Sequence, residues 1–192
     1  MNNLFYQNGK VSYEERCRLM GQQGLVVWFT GLSGAGKSTI AVETERLLYE
    51  QGVKTILLDG NNIRLGINSD LGFSDDDRNE NIRRVAEIAK LFCGTGIVTL
   101  VSLITPFTET REKAKRLIGR GQFIEVYVKA SLEVCRERDP KGLYGKNIES
   151  FTGVDSVYEP PVNPDITIDT EKTAVNEAAG NIHKKINERL SS

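Results

Sequence analysis

Gly31-Leu32-Ser33-Gly34-Ala35-Gly36-Lys37-Ser38 is the stretch on which the reading of this chain turns. It follows an apolar run, Leu25-Val26-Val27-Trp28-Phe29, and opens a segment with helical spacing. The pattern is G-x-x-x-x-G-K-[ST], a loop that cradles phosphate between a strand and a helix. Its glycines let the backbone wrap an anion closely, so that successive N–H groups aim at phosphate oxygens. Lys37 supplies a point charge for the outer phosphates, and the Ser38 hydroxyl is placed to ligate Mg²⁺. The helix that begins there adds its positive end. Gly31 to Ser38, with Thr39 beside them, are therefore the candidate residues for binding a nucleoside triphosphate.

Outward from this loop the chain alternates strands and helices. Leu25–Thr30 is a continuous apolar run, as expected for a strand covered on both faces. Ile40, Thr44, Leu47 and Leu48 recur at helical spacing until Gln51-Gly52. Val53–Leu58 reads as a second buried strand, ending in Asp59-Gly60-Asn61-Asn62, and a polar stretch follows over Ile63–Asp77. A long helix starts near Asp75–Asp77, whose carboxylates suit a helix N-terminus. Its apolar face is Ile82, Val85, Ile88, Ala89 and Phe92. Further strands are expected at Ile97–Val101, Phe123–Val128 and Ile166–Ile168. Helices are expected at Thr108–Ile118 (charged outside), from Ser131 to about Arg138, and from Val175 to the end. The order predicts an α/β chain of the P-loop type: a three-layer sandwich with a five-stranded, mainly parallel sheet. One domain spans 1–192 in this reading. Residues 1–23 form an N-terminal arm, in which Ser12 and Glu15 suggest a capped helix to Met20. Residues 139–164, rich in Gly, Pro and polar residues, break the rhythm; so long a connection suggests a lid.

The 192 residues suit one such domain. Lys and Arg total 25 against 26 Asp and Glu. That balance argues against a broad nucleic-acid or membrane-surface role. The first residues are polar and no apolar stretch has bilayer length, so a cytoplasmic location is expected. The three cysteines, Cys17, Cys93 and Cys135, are odd in number and form no C-x-x-C. They indicate neither a disulfide framework nor a zinc site. Cys93 and Cys135 fall in apolar helical patterns and read as core. The single His183 has no second histidine to form a metal site with.

In a parallel sheet, ligands sit at the carboxyl ends of the strands. Asp59 follows Ile56-Leu57-Leu58 and is placed for the metal region or the phosphoryl acceptor; by itself, an Asp-Gly turn is the equal alternative. Arg64, Arg78, Arg83 and Arg84 lie between two strands, and arginine's planar fork suits phosphate or sulfate. For Arg83 and Arg84 a solvated helix face is the better reading. Phe73, in Leu71-Gly72-Phe73-Ser74, is either a core anchor for its loop or a face for a planar base, and Phe151 poses the same question. No Asn-Lys-x-Asp guanine-reading motif is present, which disfavours a GTPase switch.

Together these residues resemble the adenylylsulfate kinase (APS kinase) family over nearly the whole chain. The matching strings are Trp28-Phe29-Thr30-Gly31 through Ser38, Leu58-Asp59-Gly60, Leu71-Gly72-Phe73-Ser74, and Asp77-Arg78 followed by Glu80-Asn81-Ile82-Arg83-Arg84. Later come Pro106-Phe107, Phe123-Ile124-Glu125-Val126, Arg138-Asp139-Pro140-Lys141-Gly142-Leu143-Tyr144, and Phe151-Thr152-Gly153. Gly9-Lys10-Val11 and Gly21-Gln22 resemble the family's N-terminal segment. The resemblance implies transfer of the γ-phosphoryl group of MgATP to the 3′-hydroxyl of adenosine 5′-phosphosulfate (APS), in a homodimer. It implies that Arg64, Arg78 and Asn81 hold the acceptor's phosphosulfate and ribose, with Phe73 and Phe151 enclosing its adenine. It places Arg138 and the Lys141–Tyr144 lid over ATP. Lys37, Asp59, Asn61 and Thr105 are then the catalytic candidates, with Ser38 and Asp59 the metal ligands.

The chain departs from the family pattern at three places. Asp-Gly-Asp-Asn is replaced by Asp59-Gly60-Asn61-Asn62, and an amide cannot accept a proton as a carboxylate does. Loss of a general base costs about 10²–10⁴-fold, but a loose phosphoryl-transfer transition state depends mainly on positioning and charge. The expectation is that Asp59 carries the carboxylate role. Ser-Pro-Phe is replaced by Thr105-Pro106-Phe107, for which a positioning role is the stronger reading. Tyr144–Phe151 is shorter than the family's lid. Two rival readings stand beside the kinase: a kinase for another small nucleotide or sugar, and a nucleotide-binding regulator that has lost catalysis.

Overall fold

A computed structural model describes residues 5, 7–146 and 151–191. Its centre is β1 (Leu25–Thr30), in which every residue is buried. It is flanked by β3 (Val98–Ser102) and β4 (Phe123–Lys129), with β2 (Thr55–Asp59) and β5 (Ile166–Asp169) on the two edges, giving the order β2-β3-β1-β4-β5. Every pairing is parallel, Val27 lying opposite Leu100 on one side and Ile124 on the other. The expected five-stranded sheet is thus parallel throughout.

Alternation along β1 separates the two faces. Leu25, Val27 and Phe29 point toward α2 (Lys37–Glu50) and α7 (Val175–Leu190), packing with Ile40, Leu48, Ile182 and Ile186. Val26 and Trp28 point the other way, toward α4 (Asp75–Cys93) and α5 (Thr108–Ile118), packing with Ile82, Val85, Ala89 and Ala114. Strands two-sided in this way read as continuous apolar runs, which is why Leu25–Phe29 shows no alternation of its own. Cys93 and Cys135 are buried, the latter in α6 (Leu132–Arg138).

The helix expected in the arm is α1 (Tyr13–Met20), closed by a capping box between Ser12 and Glu15 and by Gly21 in the left-handed conformation. None of its residues is buried, but Gln22 fastens the arm to the sheet. Its side chain donates to Lys54 O (3.0 Å) and Gly96 O (2.8 Å) and accepts from Lys54 N (2.8 Å).

After Asp59 the chain turns at once into α3 (Gly60–Leu65), which the Asp59 carboxylate caps by accepting from Asn61 N. Helix α5 is charged on its outside, as expected, and in addition carries Arg111, which is buried. No helix among the described residues is long and apolar enough to cross a membrane.

Candidate active site

The carboxyl ends of β1, β2 and β3 open into a cavity of about 1030 Å³. Ser33, Gly34, Ala35, Gly36, Lys37, Ser38 and Thr39 line one side of it. The predicted residues Asp59, Asn61, Arg64, Phe73, Arg78, Asn81, Thr105, Arg138, Lys141 and Phe151 line the remainder. Gly31 and Leu32 do not line it. They act from behind: Lys37 Nζ donates to Gly31 O (2.9 Å) and Leu32 O (2.8 Å), which curls the side chain back into the loop. Gly31 sits at φ 149°, and a Cβ there would lie 2.3 Å from Val128 O, so the loop can pass the end of β4 only as glycine. Burial, reinforced by the charge of Lys141, pushes the Lys37 ammonium down to about 8.

Ser38, at the first turn of α2, donates to Asp59 Oδ2 across 2.6 Å, and Ser102 Oγ lies 3.2 Å from Ser38 Oγ. Three strand or helix ends therefore bring two hydroxyls and a carboxylate together. This is a hard-oxygen set with a single carboxylate, which fits Mg²⁺ that takes its remaining ligands from phosphate and water. Ser102 was not among the predicted residues, although its place at the end of β3 marked it. Asp59 Oδ1 accepts from Asn61 N (3.0 Å), while the Asn61 side chain is exposed on the cavity wall.

On the opposite wall Arg64 donates to Leu71 O (3.2 Å) and Gly72 O (2.7 Å), with its guanidinium 4.5 Å from the Phe73 ring centroid. Phe73 is 59% exposed, so it is not a core anchor; it carries Arg64 on its face. Arg78 is buried and donates to Phe73 O (2.8 Å) and to Thr152 Oγ1. Desolvation lowers the pKa of both arginines, most of all through burial. Asn81 Oδ1 accepts from Asn68 Nδ2 (2.9 Å), and Asn68 is wholly buried. Phe151 is buried edge-on against Tyr144, their ring centroids 4.7 Å apart.

Arg83 and Arg84 do not join this wall. Arg83 pairs with Glu80, and Arg84 with Glu80 and Asp70, on the outer face of α4. The two guanidiniums hold the Glu80 carboxyl down to about 2.

The described parts of the 139–164 segment, 139–146 and 151–164, both contribute residues to the cavity. Arg138, at the end of α6, donates to Thr170 Oγ1 (2.9 Å) and Thr170 O (2.8 Å), and Thr170 Oγ1 donates to Ala35 O (3.0 Å). Tyr144 OH donates to Ser33 O across 2.8 Å. Residues 147–150, within the stretch expected to be short, lie outside the described residues. Thr105 has φ 46°, a conformation rare for a β-branched residue, and its buried hydroxyl accepts from Trp28 Nε1 (2.9 Å). Thr170, Asn68 and Arg111 were missed in the sequence, where nothing local distinguishes them from surface residues.

The family model described as adenylylsulphate kinase matches residues 23–169. An adenylyl-sulfate kinase of Clostridium acetobutylicum is 50% identical over 184 residues, covering 94% of this chain and 92% of its own length. The Mycobacterium tuberculosis APS kinase, solved in complex with AMPPNP and APS, is 42% identical with a TM-score of 0.81, covering 89% of this chain and 99% of that one. A hexameric APS kinase from Thiobacillus denitrificans is 31% identical with a TM-score of 0.67, matching 91% of this chain to 31% of that chain. The family match over residues 23–169 and the 50% identity over most of both chains have one result: the chain belongs to the adenylylsulphate kinase family.

Proposed function

We propose that this chain transfers the γ-phosphoryl group of ATP to the 3′-hydroxyl of APS, forming 3′-phosphoadenosine 5′-phosphosulfate (PAPS), ADP and a proton, in sulfate assimilation. The observation that carries this reading is a cavity with two unlike walls, phosphate loop on one side and Arg64, Phe73, Arg78 and Phe151 on the other. Cationic forks beside aromatic faces suit an acceptor that is both anionic and planar. The solved relative that holds AMPPNP and APS together supports the same pairing.

In this mechanism Lys37 leaves the carbonyls of Gly31 and Leu32 for the β- and γ-phosphates, and the loop N–H groups hold the remaining oxygens. Ser38 and Asp59 would hold Mg²⁺, which would neutralise negative charge on the phosphates when bound. Asp59 orients the acceptor hydroxyl and takes its proton; Asn61 can donate or accept a hydrogen bond but cannot take a proton. Arg64, Arg78 and Asn81 fix the acceptor in line with the γ-phosphorus. Arg138, Lys141 and Tyr144 close the 139–164 lid over ATP and exclude water, limiting hydrolysis. The assembly we propose is a cytoplasmic homodimer, each subunit a single kinase domain.

Asn61 favours one second reading, a regulator that binds both nucleotides without transfer. Acceptor competition separates the possibilities. With limiting γ-labelled MgATP and equal APS, AMP and gluconate, label is expected in APS. Label in AMP or gluconate contradicts the assigned acceptor, and retention of both nucleotides with no labelled product favours the regulator.

A further inference from the structure

Arg111 is 3% exposed; its two Nη atoms donate to four acceptors from different parts of the chain, and its Nε forms an ion pair. Nη1 points to Thr105 O (2.8 Å) and Pro106 O (3.3 Å). Nη2 donates to Thr108 Oγ1 (3.0 Å) and to Glu159 O (2.7 Å). Nε lies 3.0 Å from Glu125 Oε1, and Glu125 is itself buried in β4. The first two acceptors belong to the loop after β3, whose Thr105 and Pro106 line the cavity. The fourth, Glu159, belongs to the 139–164 segment.

Glu159 returns the contact twice. Its N–H donates to Pro106 O (2.9 Å), and its carboxylate accepts from Thr108 N (2.7 Å), capping α5 in place of Phe107, which has no oxygen in its side chain. The neighbouring Tyr158 hydroxyl lies 3.0 Å from Thr30 Oγ1, one residue before the phosphate loop. Adjacent residues of the segment thus hold the donor-side strand and the acceptor-side loop together.

We infer that Arg111, held by Glu125, is a positioning residue for phosphoryl transfer: it clamps the base of the 139–164 lid, at Glu159, to the acceptor-side loop at Thr105–Pro106. The lid and the acceptor wall then share one fixed origin, so that ordering either one orders the other. This rests on the kinase reading above. A buried ion pair by itself is weak evidence for stability and is often replaced without cost. Here the fork supplies what a single ammonium cannot, simultaneous reach to two carbonyl groups on different segments.

Arg111→Lys tests the clamp, because lysine keeps a charge beside Glu125 but loses the fork. We expect it to fold, to raise the KM for APS by roughly tenfold or more, and to leave the KM for MgATP within about twofold. Exchange of the Thr108 and Glu159 amide hydrogens, measured by NMR without substrate, should accelerate together in the same variant. Should Arg111→Lys fail to fold, the double variant Arg111→Met with Glu125→Leu, which removes the fork without leaving a buried charge unpaired, is read by the same KM values and the same amide exchange. Unchanged KM values with unchanged exchange in the folded variant overturn the inference, as does an equal rise in both KM values. A wild-type protein that makes no PAPS would instead contradict the kinase reading, while amide exchange still tests the clamp.

Discussion

Ser38 Oγ and Asp59 Oδ2 lie 2.6 Å apart, joining the first turn of the helix after the phosphate loop to the end of an edge strand. The two residues are far apart in sequence and meet only because β2 and β1 both deliver their carboxyl ends to the same cleft. Loss of either oxygen should weaken the hold on Mg²⁺. Ser38→Ala is expected to raise the Mg²⁺ concentration giving half-maximal activity by at least about tenfold. Titration of Mg²⁺ at saturating nucleotide measures this.

The second prediction concerns pH. Burial holds the Lys37 ammonium at about 8 against an ordinary 10.5. The unliganded folded state therefore binds fewer protons than the unfolded chain between those values. Its stability contribution rises with pH through that window and is lowest below pH 8. Bound phosphates favour the charged form, so nucleotide binding takes up a proton above pH 8, and affinity should fall there by at most about tenfold per pH unit. Calorimetric titration with ADP between about pH 7.5 and 9 reads this slope. In Lys37→Arg, which stays charged, the slope should flatten.

Thr105 serves Trp28. The buried hydroxyl accepts the indole N–H, so Thr105→Val leaves a buried donor unpaired and should cost about 1–3 kcal/mol of stability. Thr105→Ser keeps the oxygen and should retain both stability and turnover. Thermal unfolding of the two variants distinguishes this from a role in covalent transfer, for which Ser and Val would differ in activity but not in stability.

Thiol chemistry should separate the three cysteines. Burial pushes the Cys93 thiol up to about 11 and raises that of Cys135, while Cys17 is half-buried in α1. Alkylation of the native protein at pH 8, followed by peptide mass analysis, should label Cys17 first.

Local signals account for what the sequence made legible. The phosphate loop, Ser12 with Glu15, Ser131 and the apolar face of α4 each state their structure within a few residues. So do the walls of the cavity, because strand ends in a parallel sheet converge wherever the order of strands and helices is known. Arg111 was not legible: in Thr108-Glu109-Thr110-Arg111-Glu112-Lys113 it looks like any charge on a solvated face. Its partner Glu125 offered the only clue, a carboxylate inside the apolar run Phe123–Val128, which needs a buried cation. Asn68 and Thr170 depend on segments brought together by the fold, and no spacing in the sequence records that.

The rate of PAPS formation from MgATP and APS, measured side by side for the wild-type protein, Asn61→Asp and Asp59→Ala, tests the central claim most directly. The account predicts PAPS and ADP in equal amounts from the wild type. It predicts no loss in Asn61→Asp and a fall of about 10²–10⁴-fold in Asp59→Ala. Wild-type protein that binds both nucleotides and forms no PAPS, or an Asp59→Ala enzyme with undiminished turnover, would contradict it.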